Sequence, residues 1–203
     1  GDYNTAVGMS SLEANTTAND NTAVGAYNLD INTTGAANTS IGSGTMGLNT
    51  TGANNTAVGK SAMAANTTGD YNVAVGYNAL DANTTADANT AIGNAALGAN
   101  TTGANNVAVG NSALGANTTA DGNIAVGKSA LSSNTTGARN IAIGFEAYDA
   151  SDTENDNIAI GFNAMTVNTA GGTKNIAIGN YSLDALTSGD YNVAVGYNAL
   201  TAN

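Results

Sequence analysis

The 203 residues include no Cys, His, Trp or Pro, so disulfides, zinc or haem ligation and every Ser-His or Cys-His nucleophile are excluded for want of a thiolate or an imidazole. A net charge of -11 with only four Lys and Arg opposes nucleic acid and anionic membrane surfaces, and no apolar run approaches membrane-spanning length. Leu, Ile, Val and Phe number 33 of 203, a level that signals disorder unless those residues are periodic.

They are periodic. The pentad Asn-Thr/Val/Ile-Ala-Val/Ile-Gly opens at Asn4 and recurs twelve times, ending at Gly8, Gly25, Gly42 and so on to Gly196. The spacing is 17 residues except for one of 18, where the extra residue falls in Gly171-Gly172-Thr173-Lys174. Asn72 to Ala88 (NVAVGYNALDANTTADA) is a clean copy, and one unit fills residues 1-203 without a boundary or linker. A 17-residue unit is too short for helix-pair repeats or propeller blades and suits one coil of a parallel β-solenoid. Twelve coils at about 4.8 Å each make a rod about 58 Å long.

Within each coil the pentad comes first. Its large-small-large alternation is the period of a strand, and the expectation is that the β-branched pair, Val73 and Val75 or Ile141 and Ile143, points inward. After the Gly turn, Ala79-Leu80 or Ala113-Leu114 closes the core from the opposite wall. Asn-Thr-Thr-Gly-Asp then supplies a turn. The central strand residue is Ala in eleven copies and Ser at Ser40. Restriction to small side chains on a face assigned outward suggests close packing against another copy of the chain, as a parallel homo-oligomer and in the first instance a trimer; thin cores are commonly remedied by association. The residue before that Ala is Thr at Thr5, Thr22, Thr39 and Thr56 and is Val or Ile from Val107 to Val193. If it faces inward, the C-terminal half has the more apolar core, and the N-terminal coils exchange amide protons first.

The NVAVG and NIAIG pentads, with Val or Ile flanking a central Ala before Gly, resemble the YadA-like head repeats of trimeric autotransporter adhesins. The longer string NTAVGxxALxxNTTGxxN looks like repeats of tail-fibre-like surface proteins of phages and environmental bacteria. The resemblance covers essentially the whole chain, although the autotransporter coil is usually shorter than this one. It implies a left-handed β-roll, trimerisation and a place at the cell surface or on a virion fibre.

Several residues are candidate sites. Asn-Thr-Thr at Asn15, Asn32, Asn49, Asn66, Asn83, Asn100, Asn117 and Asn134 is formally an N-glycosylation acceptor; the alternative is a turn ladder of stacked amides. The Thr row from Thr16 to Thr135 suggests an ice-binding array, against a simple role in turns. Asp149, Asp152, Glu154 and Asp156 form the right oxygen set for calcium, or a solvated acidic turn. The Gly-Asp-Tyr-Asn turns at Asp2, Asp70 and Asp190 lie too far apart along a rod to act together. No pair of carboxylates stands out for glycoside hydrolysis. Tyr27, Tyr71, Tyr77, Tyr191 and Tyr197 are candidates for adhesive or glycan-stacking contacts, or for staples between coils.

The sequence thus predicts an all-β, left-handed parallel β-solenoid, homotrimeric, with no catalytic, cofactor or metal residues. It reads as a non-enzymatic segment of an extracellular fibre, filament or adhesin that gives reach and multivalent attachment. The alternative is a specific binding module, a phage receptor-binding fibre or an ice-binding solenoid. Expected partners are copies of itself, side by side or end to end, and surface glycans, with no nucleic acid and no membrane insertion. No signal-peptide pattern is present, which assigns any export signal to sequence outside this segment. The chain starts and stops inside the repeat, as a window on a longer array does.

Overall fold

The computed structural model describes residues 1-167 and 171-201. Its described residues form an all-β parallel solenoid: twelve three-residue strands, from Thr5–Val7 to Val193–Val195, lie in sequence order in one sheet. Each strand pairs in register with its neighbours, so Thr5 faces Thr22 and Ile176 faces Val193. We number the coils 1 to 12 from the Asn that opens each pentad, Asn4 to Asn192, and the positions within a coil from that Asn.

The phase of the strand alternation is the reverse of the expected one. Ala23, Ala57, Ala74, Ala108 and Ala142 are fully buried, whereas Val75, Ile92, Ile124 and Ile143 are 36–40% exposed. Val73, Val75, Ile141 and Ile143 therefore face out, and the small central residue faces in. A coil this short is closed by the Ala-Leu segment of the opposite wall, and Ala79, Leu80, Ala113 and Leu114 are all fully buried there, as expected. Leu fills the gap between the walls, so only a methyl fits opposite it. A one-residue change of phase moves every side chain of a strand to the other face. Smallness at position 3 thus records packing inside the coil, and the Thr-to-Ile trend at position 2 is a trend of the surface, not of the core.

The Gly that ends each pentad turns the chain at φ 127 to 144°. A Cβ there would fall on the carbonyl of the next coil's Gly, as Gly59 would on Gly76, which explains why no other residue occupies the position. The residue at position 9, buried in every coil but the last, also has a left-handed backbone in all twelve, Leu80 at φ 54° for example. Such a conformation costs an L-residue about 1–2 kcal/mol and is worst for β-branched side chains. That column accordingly holds Leu, Met and Tyr, never the Val and Ile that fill the strands.

Two columns of buried Asn bind the coils together. At position 1, Asn106 Oδ1 accepts the backbone N–H of Asn123 at 2.9 Å, and its Nδ2 donates to the Ala120 carbonyl at 2.8 Å. The first of these bonds recurs at every step from Asn4 to Asn192, at 2.8–3.0 Å. At position 12, each amide from Asn49 to Asn134 donates to the amide oxygen one coil back, at 2.8–3.2 Å. It also donates to a carbonyl three residues on, as Asn100 does to Gly103. Buried polar groups satisfied in this way cost little, and the ladder supplies specificity that a thin Ala core lacks.

Candidate functional site

The outward sheet face is a regular surface that runs across all twelve strands. Positions 2 and 4 of twelve strands make two parallel columns of Thr, Val and Ile with no charged side chain in either. In-register pairing places Thr22, Thr39 and Thr56 in one row. The same column continues as Ile124, Ile141, Ile158 and Ile176. The N-terminal part of the face is thus mixed hydroxyl and methyl, and the C-terminal part is wholly aliphatic. Adjoining aliphatic rows left half-exposed are more typical of a binding surface than of a solvated one.

The eight Asn-Thr-Thr acceptors lie elsewhere and are largely inside. Asn32, Asn49, Asn66, Asn83, Asn100, Asn117 and Asn134 are fully buried with Nδ2 engaged in the ladder. Asn15 is half-buried and its Nδ2 donates to the Ala18 carbonyl. A glycan on any of these nitrogens would have to replace those bonds, and from Asn32 to Asn134 the edge is a ladder of stacked amides. The neighbouring Thr hydroxyls are also occupied, Thr50 Oγ1 donating to the Thr67 carbonyl at 3.0 Å and Thr101 Oγ1 to Thr118 likewise. They hold coil to coil and do not form a free hydroxyl lattice.

The acidic set of coil 9 is dispersed. Glu154 turns inward, 4% exposed, and accepts from Ser151 Oγ and the backbone N–H groups of Asp152, Thr153 and Gly171 at 3.0–3.1 Å. Ser151 stands where coils 1 to 8 have the second Asn, and the Glu154 carboxylate completes the turn in place of the missing amide. Asp156 faces out to Arg139, whose Nε and Nη2 donate at 2.6 and 2.9 Å. That hydrogen bond holds Asp156 below the usual carboxylate range. Asp152 accepts from Thr135. Asp149 lies partly buried, and desolvation together with the nearby Glu146 raises its pKa. Among the described residues no three His, Cys, Asp or Glu come together in a group able to hold a metal, so the calcium reading has no geometry behind it. Asp70 and Asp190 tie coil to coil, each accepting from a backbone N–H one coil back, of Ala53 and Thr173.

The tyrosines do not form one strip. Tyr71 and Tyr191 end their coils, Tyr77 and Tyr197 follow the pentad Gly, and Tyr27 sits one position further on. Sequence reading missed the row they partly join: Phe145 stacks on Phe162 at 5.4 Å, Phe162 meets Tyr181 edge-on at 5.3 Å, and Tyr181 meets Tyr197 at 6.0 Å. Lys128 caps it, 5.2 Å from the Phe145 centroid. The signal was present in the 17-residue spacing of Phe145 and Phe162. Contacts of this kind staple coils and add about 0.5–1.5 kcal/mol each beyond area burial. No described helix is long and apolar enough to cross a membrane. Searches of family models, curated proteins and solved structures return no match to this chain.

Proposed function

We propose that the chain is a non-enzymatic structural segment of an extracellular, cell-surface or virion fibre that gives reach and multivalent attachment by associating with copies of itself as a left-handed trimeric roll. The observation that carries this reading is the outward pair of β-branched columns, continuous over twelve strands and free of charge. Aliphatic side chains on both columns gain most by leaving water, at about 25 cal/mol per Å², and parallel copies of an identical rod meet with matching rows. The interface is therefore assigned to the Val/Ile face, not to the Ala row that the sequence alone suggested. Attachment follows from repetition, since many weak contacts along a rod sum to strong binding. Native mass spectrometry tests the assembly. A mass near three times 19.8 kDa is expected, falling to one chain in a variant carrying Ile124→Lys and Ile158→Lys; a wild-type chain that stays single would overturn the trimer.

A second reading has an observation of its own. The outward Thr22, Thr39 and Thr56, each followed two residues on by Val or Ile, form the flat hydroxyl and methyl array that the turn Thr row does not. Water ordered on that lattice would make the N-terminal coils an ice-binding surface. Thermal hysteresis in the isolated chain, lost in Thr39→Lys, supports this reading, and its absence removes it.

A further inference from the structure

Away from the sheet, the wall formed by positions 7, 10 and 11 carries a trough along the rod. Position 10 runs Asp30, Gly47, Ala64, Asp81, Gly98, Gly115, Ser132 in successive coils, so small residues make a floor that two carboxylates interrupt. One cavity of about 320 Å³ lies over Gly47, Ala64 and Leu48 with Asp30 and Asp81 at its margins. A second, of about 490 Å³, runs from Asp81 over Gly98 and Gly115 to Ser132. Asp81 borders both. The Asp30 carboxylate leans over Gly47, where a Cβ would lie 3.7 Å from Oδ1, and the Asp81 carboxylate leans over Gly98 at 3.4 Å.

Neither carboxylate has a cationic partner: among the described residues the only ion pair joins Arg139 to Asp156. Asp81 is partly enclosed, and desolvation raises its pKa. A cation brought to it would restore what burial removes. Three coils separate the two carboxylates, about 14 Å at the usual interstrand spacing. Between them the lining is mostly apolar, with Leu48 more than half exposed at its edge.

We propose that this trough binds a linear aliphatic polyammonium ligand, its methylene segments lying on the Gly47–Ala64 floor between ammonium groups at Asp30 and Asp81, a longer member of the class extending past Asp81 onto the Gly98–Gly115 floor. Methylene stems lie readily along apolar surface while their charged heads stay hydrated or paired. An anionic ligand meets two carboxylates and a chain of net charge -11, and a neutral one leaves the partly buried Asp81 carboxylate unrelieved. The inference stands apart from self-association, which uses the opposite, sheet-bearing wall.

Titration of the full chain with spermidine by calorimetry tests it, with Asp81→Asn, Asp30→Asn, Ala64→Leu and the distant Asp121→Asn as variants. Saturable binding is expected. It weakens about fivefold in either Asp30→Asn or Asp81→Asn, the size of one partly screened charge pair. It weakens similarly in Ala64→Leu, which fills the floor and leaves the charge unchanged, and stays the same in Asp121→Asn. Circular dichroism of each variant shows whether the coil is retained. Equal losses in Asp121→Asn and Asp81→Asn, or full affinity in Ala64→Leu, would mean diffuse attraction to a polyanion and overturn the site. So would no spermidine binding, or capture of a neutral oligosaccharide in its place.

Discussion

Coils 1 to 8 carry Asn in both columns, whereas coils 9 and 11, built on the same repeat, keep only the first. Position 1 is Asn in all twelve coils, whereas position 12 becomes Ser151 in coil 9 and Leu186 in coil 11. The chemistry of the two amides accounts for the difference. The first Asn fixes backbone to backbone between coils with both side-chain atoms, and no other short side chain offers a donor and an acceptor at that reach. The second bonds to a neighbouring amide and to its own turn, so another arrangement can replace it. Coil 9 replaces it with the buried Glu154 carboxylate and coil 11 with the buried Leu186 side chain. The exchange is not free: Asn134 Oδ1, the last acceptor of the ladder, is buried without a partner where Ser151 takes over.

Unequal mutational costs would sharpen this comparison most. Asn106→Ala strands the buried Asn123 N–H and removes one of the two donors to the Ala120 carbonyl, which should cost about 2–4 kcal/mol. Asn100→Ala leaves Gly103 with Asn89 as a donor and Asn117 with its turn carbonyl, for a loss of about 1–2 kcal/mol. Urea unfolding of the pair measures both, and equal losses would break the distinction. Glu154→Ala abandons three backbone N–H groups and should cost about 2–3 kcal/mol. The double change Ser151→Asn with Glu154→Gly recreates the turn of Asn134 to Gly137 and should recover most of that loss.

Much of this was legible beforehand, and the part that was not has a definite physical cause. The 17-residue period, the strand, the Gly turn and the buried Ala-Leu segment all follow from spacing, because each depends on residue type at a fixed position. The phase of the strand did not follow, because the usual guide, large apolar residues inside, is inverted at Ile141-Ala142-Ile143. Two clues were available. Position 3 admits only Ala and Ser, and Ser40 is indeed fully buried with its hydroxyl donating to the Thr45 carbonyl at 3.2 Å. Position 9 excludes β-branched residues, which marks it as the left-handed residue that carries the core. The two readings of the motif at Asn32 to Asn134, acceptor or amide ladder, stayed open for a related reason: its amides lie under the turn, where sequence shows composition but not direction.

The smallest effect expected is that of pH. Asp81 and Asp149 have raised pKa values in the folded coil, so the folded state takes up protons more readily than the unfolded chain. Stability should rise as pH falls through their folded values and reach its full gain below the ordinary Asp value. Asp156 and Asp190 are lowered, so their contribution is present above the ordinary value and is lost only as pH falls through the lower folded ones. Asp190 is exposed, and Asp156, 34% exposed, meets Arg139 at the surface, so both count for little. Thermal melts should therefore show equal or slightly higher stability at about pH 4 than at pH 7; a clear loss on mild acidification would show that the exposed pairs outweigh the enclosed carboxylates.

The orientation of the strands underlies both the core and the proposed interface, and paired lysine substitutions at adjacent residues test it most directly. Circular dichroism and urea unfolding of Ile143→Lys should show a folded coil whose midpoint falls by no more than the loss of association with other copies, since that side chain faces outward. Ala142→Lys should unfold or lose more than about 4 kcal/mol, since it forces an unpaired charge into a fully enclosed position. A stable Ala142→Lys beside an unfolded Ile143→Lys would contradict the account.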